Sequence, residues 1–212
     1  MMRQGRRTVS AARHLQENYL IYVAVFVALT AGIAAGALSV RQLSEDQVSE
    51  LNRVFFSFVD YLSGEHALNH TVILQRSLLQ NGLLVLLFWL CGLFFFGFLF
   101  SLGLVFYRGF CLGFTVGFLA GQNALQGMVF ATAAVLPQNL LYVPAIVLAG
   151  VLSTAVSLRL LRRRLRRQPA PAGNDLLQYT LVVLLLAVFF AAGSLVETMV
   201  TPVLMRAVVT VF

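Results

Sequence analysis

From Gly109 to Leu158 the chain runs without one Asp, Glu, Lys or Arg. That stretch of about 50 residues is too long for one membrane crossing and sufficient for two. A soluble domain carries about 25% charged residues. Here 212 residues include only 11% charged and 59% hydrophobic ones, so polar side chains are too few to clothe a water-facing globule. A soluble enzyme is thereby excluded as the leading reading. Further apolar runs, Tyr19 to Val40, Leu83 to Phe106 and Leu176 to Val200, are each long enough to span. The sequence predicts a single all-α domain, a polytopic membrane helical bundle of about five transmembrane helices plus an extracytoplasmic amphipathic helix.

The segments between the runs set the expected topology. Residues 1–18 form a basic tail, Arg3, Arg6, Arg7 and Arg13 against Glu17. Span 1 covers 19–40, longer than the signal-peptide core of about 7–15 residues, so it reads as a retained helix. Residues 41–82 carry Arg41, Arg53 and Arg76 against Glu45, Asp46, Glu50, Asp60 and Glu65, a net −2. Within them Ser44 and Gln47 have capping-box spacing, and Val48, Leu51, Phe55, Phe58 and Leu62 recur at helical steps. That stripe reads as an amphipathic helix lying on the interface or on the bundle, and Phe55, Phe58 and Leu62 are candidate partner contacts.

Span 2 is expected over 83–106, anchored at a surface turn by Tyr107 and Arg108. Spans 3 and 4 share 109–158. They divide either at the polar stretch 121–127, which leaves a long helix broken at Pro137, or at Leu136–Asn139. A loop over 159–175 then carries Arg159, Arg162, Arg163, Arg164, Arg166 and Arg167 against Asp175, followed by span 5 over 176–200 and a tail to 212. The net charge of +7 concentrates in the first tail and this loop. Under the positive-inside rule, Arg162, Arg163, Arg164, Arg166 and Arg167 act as topology determinants and not as a nucleic-acid surface. The N-terminus is then cytoplasmic and the C-terminus extracytoplasmic.

Several features inside the runs invite a role. Gly109, Gly113, Gly117 and Gly121 repeat every fourth residue, and Gly32 and Gly36 form a matching pair. Such bare-backbone grooves allow close helix packing, within the bundle or in a homo-oligomer. Pro137, Gln138, Asn139 and Pro144 form a joint at which prolines release carbonyls that buried amides can satisfy. Glu197 is expected near the outer interface, capping a neighbour or touching a partner. His66 and His70 lack the HExxH pattern and an evident third ligand, so no metal is expected. No Walker lysine, GxSxG or catalytic carboxylate pair is present, which predicts no enzyme and calls for no cofactor.

Three segments together, 108–122 (RGFCLGFTVGFLAGQ), 135–150 (VLPQNLLYVPAIVLAG) and 197–205 (ETMVTPVLM), closely resemble the stage II sporulation protein M family. The resemblance implies a non-enzymatic protein of the mother-cell membrane at the sporulation septum. Family members act in forespore engulfment with the stage II sporulation proteins D and P, which are peptidoglycan hydrolases. The matching positions, Gly113, Thr115, Gly117, Pro137, Gln138, Asn139, Pro144, Glu197 and Pro202, are implied to serve architecture and assembly. Relatives from non-sporulating organisms read PHGxxE where this chain has Gln138, Asn139 and Tyr142, which places it with the sporulation branch. The leading expectation is a scaffold in the lipid bilayer; the alternative is a permease subunit.

Overall fold

The computed structural model describes residues 18–63, 69–122, 124–167 and 173–209, less the side chains of 61–63, 122, 124–128, 173 and 209. The basic tail up to Glu17, the Leu62 side chain, Glu65 and His66 lie outside them. The described chain is almost wholly helical. In order come α1 (Tyr19–Ser39) with a 3-10 turn (Val40–Gln42), α2 (Glu45–Ser63), α3 (His70–Leu93), α4 (Gly97–Gln122), α5 (Ala124–Leu165) and α6 (Gly173–Val209). All but α2 are long and apolar enough to cross a membrane. An all-α polytopic membrane bundle with five spans is what the structure shows.

Helix α5 is the most buried span and lies against α1, α3, α4 and α6. Val25, Leu29, Leu84, Phe88, Val105, Leu186 and Phe190 of its neighbours close around its Ile146 and Val151. Outward positions such as Leu20, Phe100, Leu140 and Val188 are exposed, as lipid-facing residues must be.

Helices α1 and α4 meet backbone to backbone. A Cβ on Gly32 would overlap the Phe106 carbonyl, and one on Gly36 the Phe110 carbonyl. From the other side, Gly109 abuts Leu29 O, Gly113 abuts Ile33 O, and a Cβ on Gly117 would stand 3.1 Å from Ala37 Cα. Gly121 takes no part, since nothing lies within 4 Å of its Cβ position. With little hydrophobic drive between helices in lipid, such an approach holds the pair through dispersion contacts.

One expected span and the expected break at Pro137 are corrected, and of the two expected divisions the structure takes the one at 121–127. The span placed over 83–106 is instead α3, which begins at His70 and ends at Leu93, and the chain turns at residues 94–96. This turn is tied down by α5, where Ser157 Oγ donates to Phe94 O (2.7 Å) and accepts from Phe98 N (2.8 Å). Arg108, expected at a surface turn, consequently sits midway along α4. The second division falls at 122–124, and α5 runs unbroken through Pro137 and Pro144 for 42 residues, about 63 Å at 1.5 Å per residue. Gln138 Nε2 donates to Ala134 O (2.8 Å) and Asn139 Nδ2 to Val135 O (2.6 Å), the two carbonyls that follow Ala133 O, whose helical donor Pro137 lacks.

Candidate functional site: a polar cavity among the spans

Four helices contribute to one polar cluster. Ser77 and Asn81 lie one turn apart on α3, Arg108 on α4, Tyr142 on α5, and Ser194 and Glu197 on α6. Asn81 is the hub. Its Oδ1 accepts from Arg108 Nη2 (2.8 Å), while its Nδ2 donates to Tyr142 OH (2.8 Å) and Ser194 Oγ (3.1 Å). Tyr142 OH in turn donates to Glu197 Oε2 (2.7 Å), which also accepts from Ser77 Oγ (2.6 Å). Ser77, Asn81, Tyr142 and Ser194 are buried, and Arg108 and Glu197 half-buried. The ring of Tyr142 stacks on Phe190 with centroids 6.0 Å apart and lies over Gly193, where a Cβ would strike it.

A chain of hydrogen bonds thus runs from a guanidinium to a carboxylate through one amide and one phenol. Each end needs it, because an unsatisfied charge in an apolar interior is costly. Beside it, Thr201 Oγ1 bonds Gln138 Oε1, and His70 Nδ1 donates to Thr198 O (3.0 Å). The last contact ties the start of α3 to α6.

The cluster opens on a cavity of about 320 Å³. Gln80, Asn81, Arg108, Thr115, Gln138, Asn139, Tyr142 and Glu197 give it polar walls, and Phe55 and Phe58 of α2 close one side. Helix α2 forms as its sequence dictates. Ser44 N donates to Gln47 Oε1 (3.0 Å) and Gln47 N to Ser44 Oγ (3.4 Å), the reciprocal capping box, with Glu45 and Asp46 in the first turn. Its apolar stripe docks on the bundle. Phe55 meets Phe118 and Phe130 edge-on at 6.3 and 5.4 Å, beside Val59, Leu119 and Met205.

The structure places the remaining sequence candidates as follows. Phe55 faces inward, so it is occupied within the chain, whereas Phe58 is 42% exposed at the cavity. Glu197 turns into the bundle toward Ser77 and Tyr142, next to Thr198, which meets the first residue of α3. Arg163 pairs with Asp175 (3.1 Å) and Arg164 covers the Phe95 ring at 4.4 Å, while Arg162, Arg166 and Arg167 are exposed. His70 is engaged by Thr198, and among the described residues no group of His, Cys, Asp or Glu could hold a metal.

Sequence reasoning missed Ser77, Asn81 and Ser194, and took Arg108 for an anchor. The signal was present. Ser77 and Asn81 are four apart, and Ser194, Glu197 and Thr201 fall at i, i+3 and i+7, each set a polar stripe on an otherwise apolar helix.

The family model for stage II sporulation protein M matches residues 24–202, which takes in every member of this cluster. The chain belongs to the stage II sporulation protein M family. No curated protein sequence and no solved structure matches it. Family membership and the five apolar helices together make it a sporulation membrane protein.

Proposed function

We propose that this chain is a non-enzymatic scaffold that gathers peptidoglycan-degrading enzymes at the septum during forespore engulfment. The stage II sporulation proteins D and P are the partners this reading names. In it the N-terminus and the arginine-rich end of α5 are cytoplasmic, while α2 faces the wall. The observation that carries it is how α2 is mounted. One face docks through Phe55 and Val59, and another leaves Val54 and Phe56 exposed at 62% and 55%. An amphipathic helix fixed to a rigid body with apolar residues turned away from it suits a partner groove.

The test is co-purification from sporulating cells in mild detergent. Val54→Asp combined with Phe56→Asp is expected to leave the protein inserted while the hydrolases are lost from the eluate. Undiminished recovery of hydrolases would remove this face as the contact. Phe55→Asp is the wrong probe, because it breaks docking inside the chain.

The polar cavity favours a second reading, a permease subunit, since ionisable groups among membrane helices often mark a solute path. The same eluate separates the two. A cytoplasmic ATPase recovered without any hydrolase would favour the permease.

A further inference from the structure

Arg108 spends one donor of its guanidinium fork on Asn81, and among the described residues no carboxylate forms an ion pair with it. Its guanidinium, a planar fork of N–H donors with no acceptor, lies in the middle of α4. Glu197 brings a carboxylate to the same cavity, yet its Oε2 is satisfied by Ser77 and Tyr142, and Asn81 and Tyr142 stand between it and Arg108. The donors that Asn81 leaves unused belong to a side chain lining a cavity of about 320 Å³. That volume lies at the lower end of small-ligand sites, roughly 300–1,000 Å³, and an arginine fork matches the paired oxygens of an oxyanion.

We propose that this cavity binds one phosphate group, with Arg108 as its counter-charge. The group comes either from the free ion or from a lipid headgroup. Asn81 holds the guanidinium in place, Thr115 and Gln80 line the approach, and Phe55 and Phe58 of α2 form its apolar wall. The proposal rests on neither functional reading above, since binding is measured apart from partner recovery and from transport.

The test is calorimetric titration of the full chain, purified in a neutral maltoside detergent, with inorganic phosphate and separately with dihexanoyl phosphatidic acid. At least one is expected to bind saturably at one per chain. Binding of inorganic phosphate assigns the free ion, and binding of phosphatidic acid alone assigns the headgroup. Arg108→Gln should weaken it by about tenfold or more, the loss of a charge-assisted contact. Thr115→Trp keeps Arg108 but fills the cavity from an exposed position, and should abolish binding. Arg53→Gln, on the exposed surface of α2, should leave it unchanged. If Arg108→Gln does not fold, Thr115→Trp decides alone. Absence of saturable binding by either probe, or binding that persists in Thr115→Trp, overturns the proposal.

Discussion

Tyr142 does two jobs with one oxygen, accepting from Asn81 and donating to Glu197. Removing that hydroxyl leaves Glu197 Oε2 with Ser77 and deprives Asn81 of its shortest acceptor. Tyr142→Phe should therefore cost about 1.5–2 kcal/mol, at the low end for a hydrogen bond to a charged group and above the usual intramembrane value. The loss should not add to that of Glu197→Gln. A double-mutant cycle read by thermal unfolding in detergent is expected to give a coupling beyond about 0.5 kcal/mol, whereas Tyr142→Phe with Thr180→Val should be additive within that margin. Thr180 accepts from Trp89 Nε1 elsewhere along α6, and serves as the unrelated bond. Additivity for both pairs would mean that the cluster is a set of separate contacts. At this scale the sequence was legible where the residue acts locally. The Ser44–Gln47 box took the role that its spacing allows, because it acts within a turn of itself. Arg108 was not legible, since what decides its place is Asn81 on another helix.

Helix pairing shows what a glycine repeat can and cannot announce. Five glycines of α1 and α4 stand against the partner's backbone, but Gly121, which extends the same repeat, has nothing near it. The two substitutions Gly113→Leu and Gly121→Leu are chemically the same and structurally opposite. The first must push α1 from α4 and should destabilise the bundle by about 2–3 kcal/mol or more, at the top of the range for overpacking. The second should be neutral within about 0.5 kcal/mol, as surface changes usually are. Melting temperatures by fluorescence-detected gel filtration would check this, and equal shifts would contradict the α1–α4 contact. Element boundaries were harder to read than pairing. The turn at 94–96 is built from Phe94, Phe95 and Phe96, so hydropathy runs through it unbroken; the Ser157 contacts from α5 hold it, and Gly97, where a Cβ would overlap Cys91 O, lets it close. Pro137, by contrast, signals a break, yet α5 continues through it.

Across the whole molecule, the corrected boundaries leave the count of crossings intact. Moving Arg108 from a turn into α4 takes one charge from a loop, and the turns at 94–96 and 122–124 carry none. Along the sequence, positive charge therefore gathers in residues 1–18 and in the arginines of 159–167, while the segment containing α2 is net negative. On the proposed function, the positive-inside rule puts the basic segments in the cytoplasm and α2 outside. Between Ser49 on α2 and Arg166 beyond α5 the chain passes through α3, α4 and α5, three crossings, so the two positions must face opposite sides. Both are exposed, and in a background of Cys91→Ala and Cys111→Ala each can carry a single reporter thiol, Ser49→Cys or Arg166→Cys. A membrane-impermeant maleimide applied to intact cells should label Ser49→Cys alone and reach Arg166→Cys only after lysis. Labelling of Arg166→Cys alone in intact cells would invert the orientation and detach α2 from any wall-side partner. Labelling of both before lysis would break the odd number of crossings, and with it the assignment of α3, α4 and α5 as three separate spans.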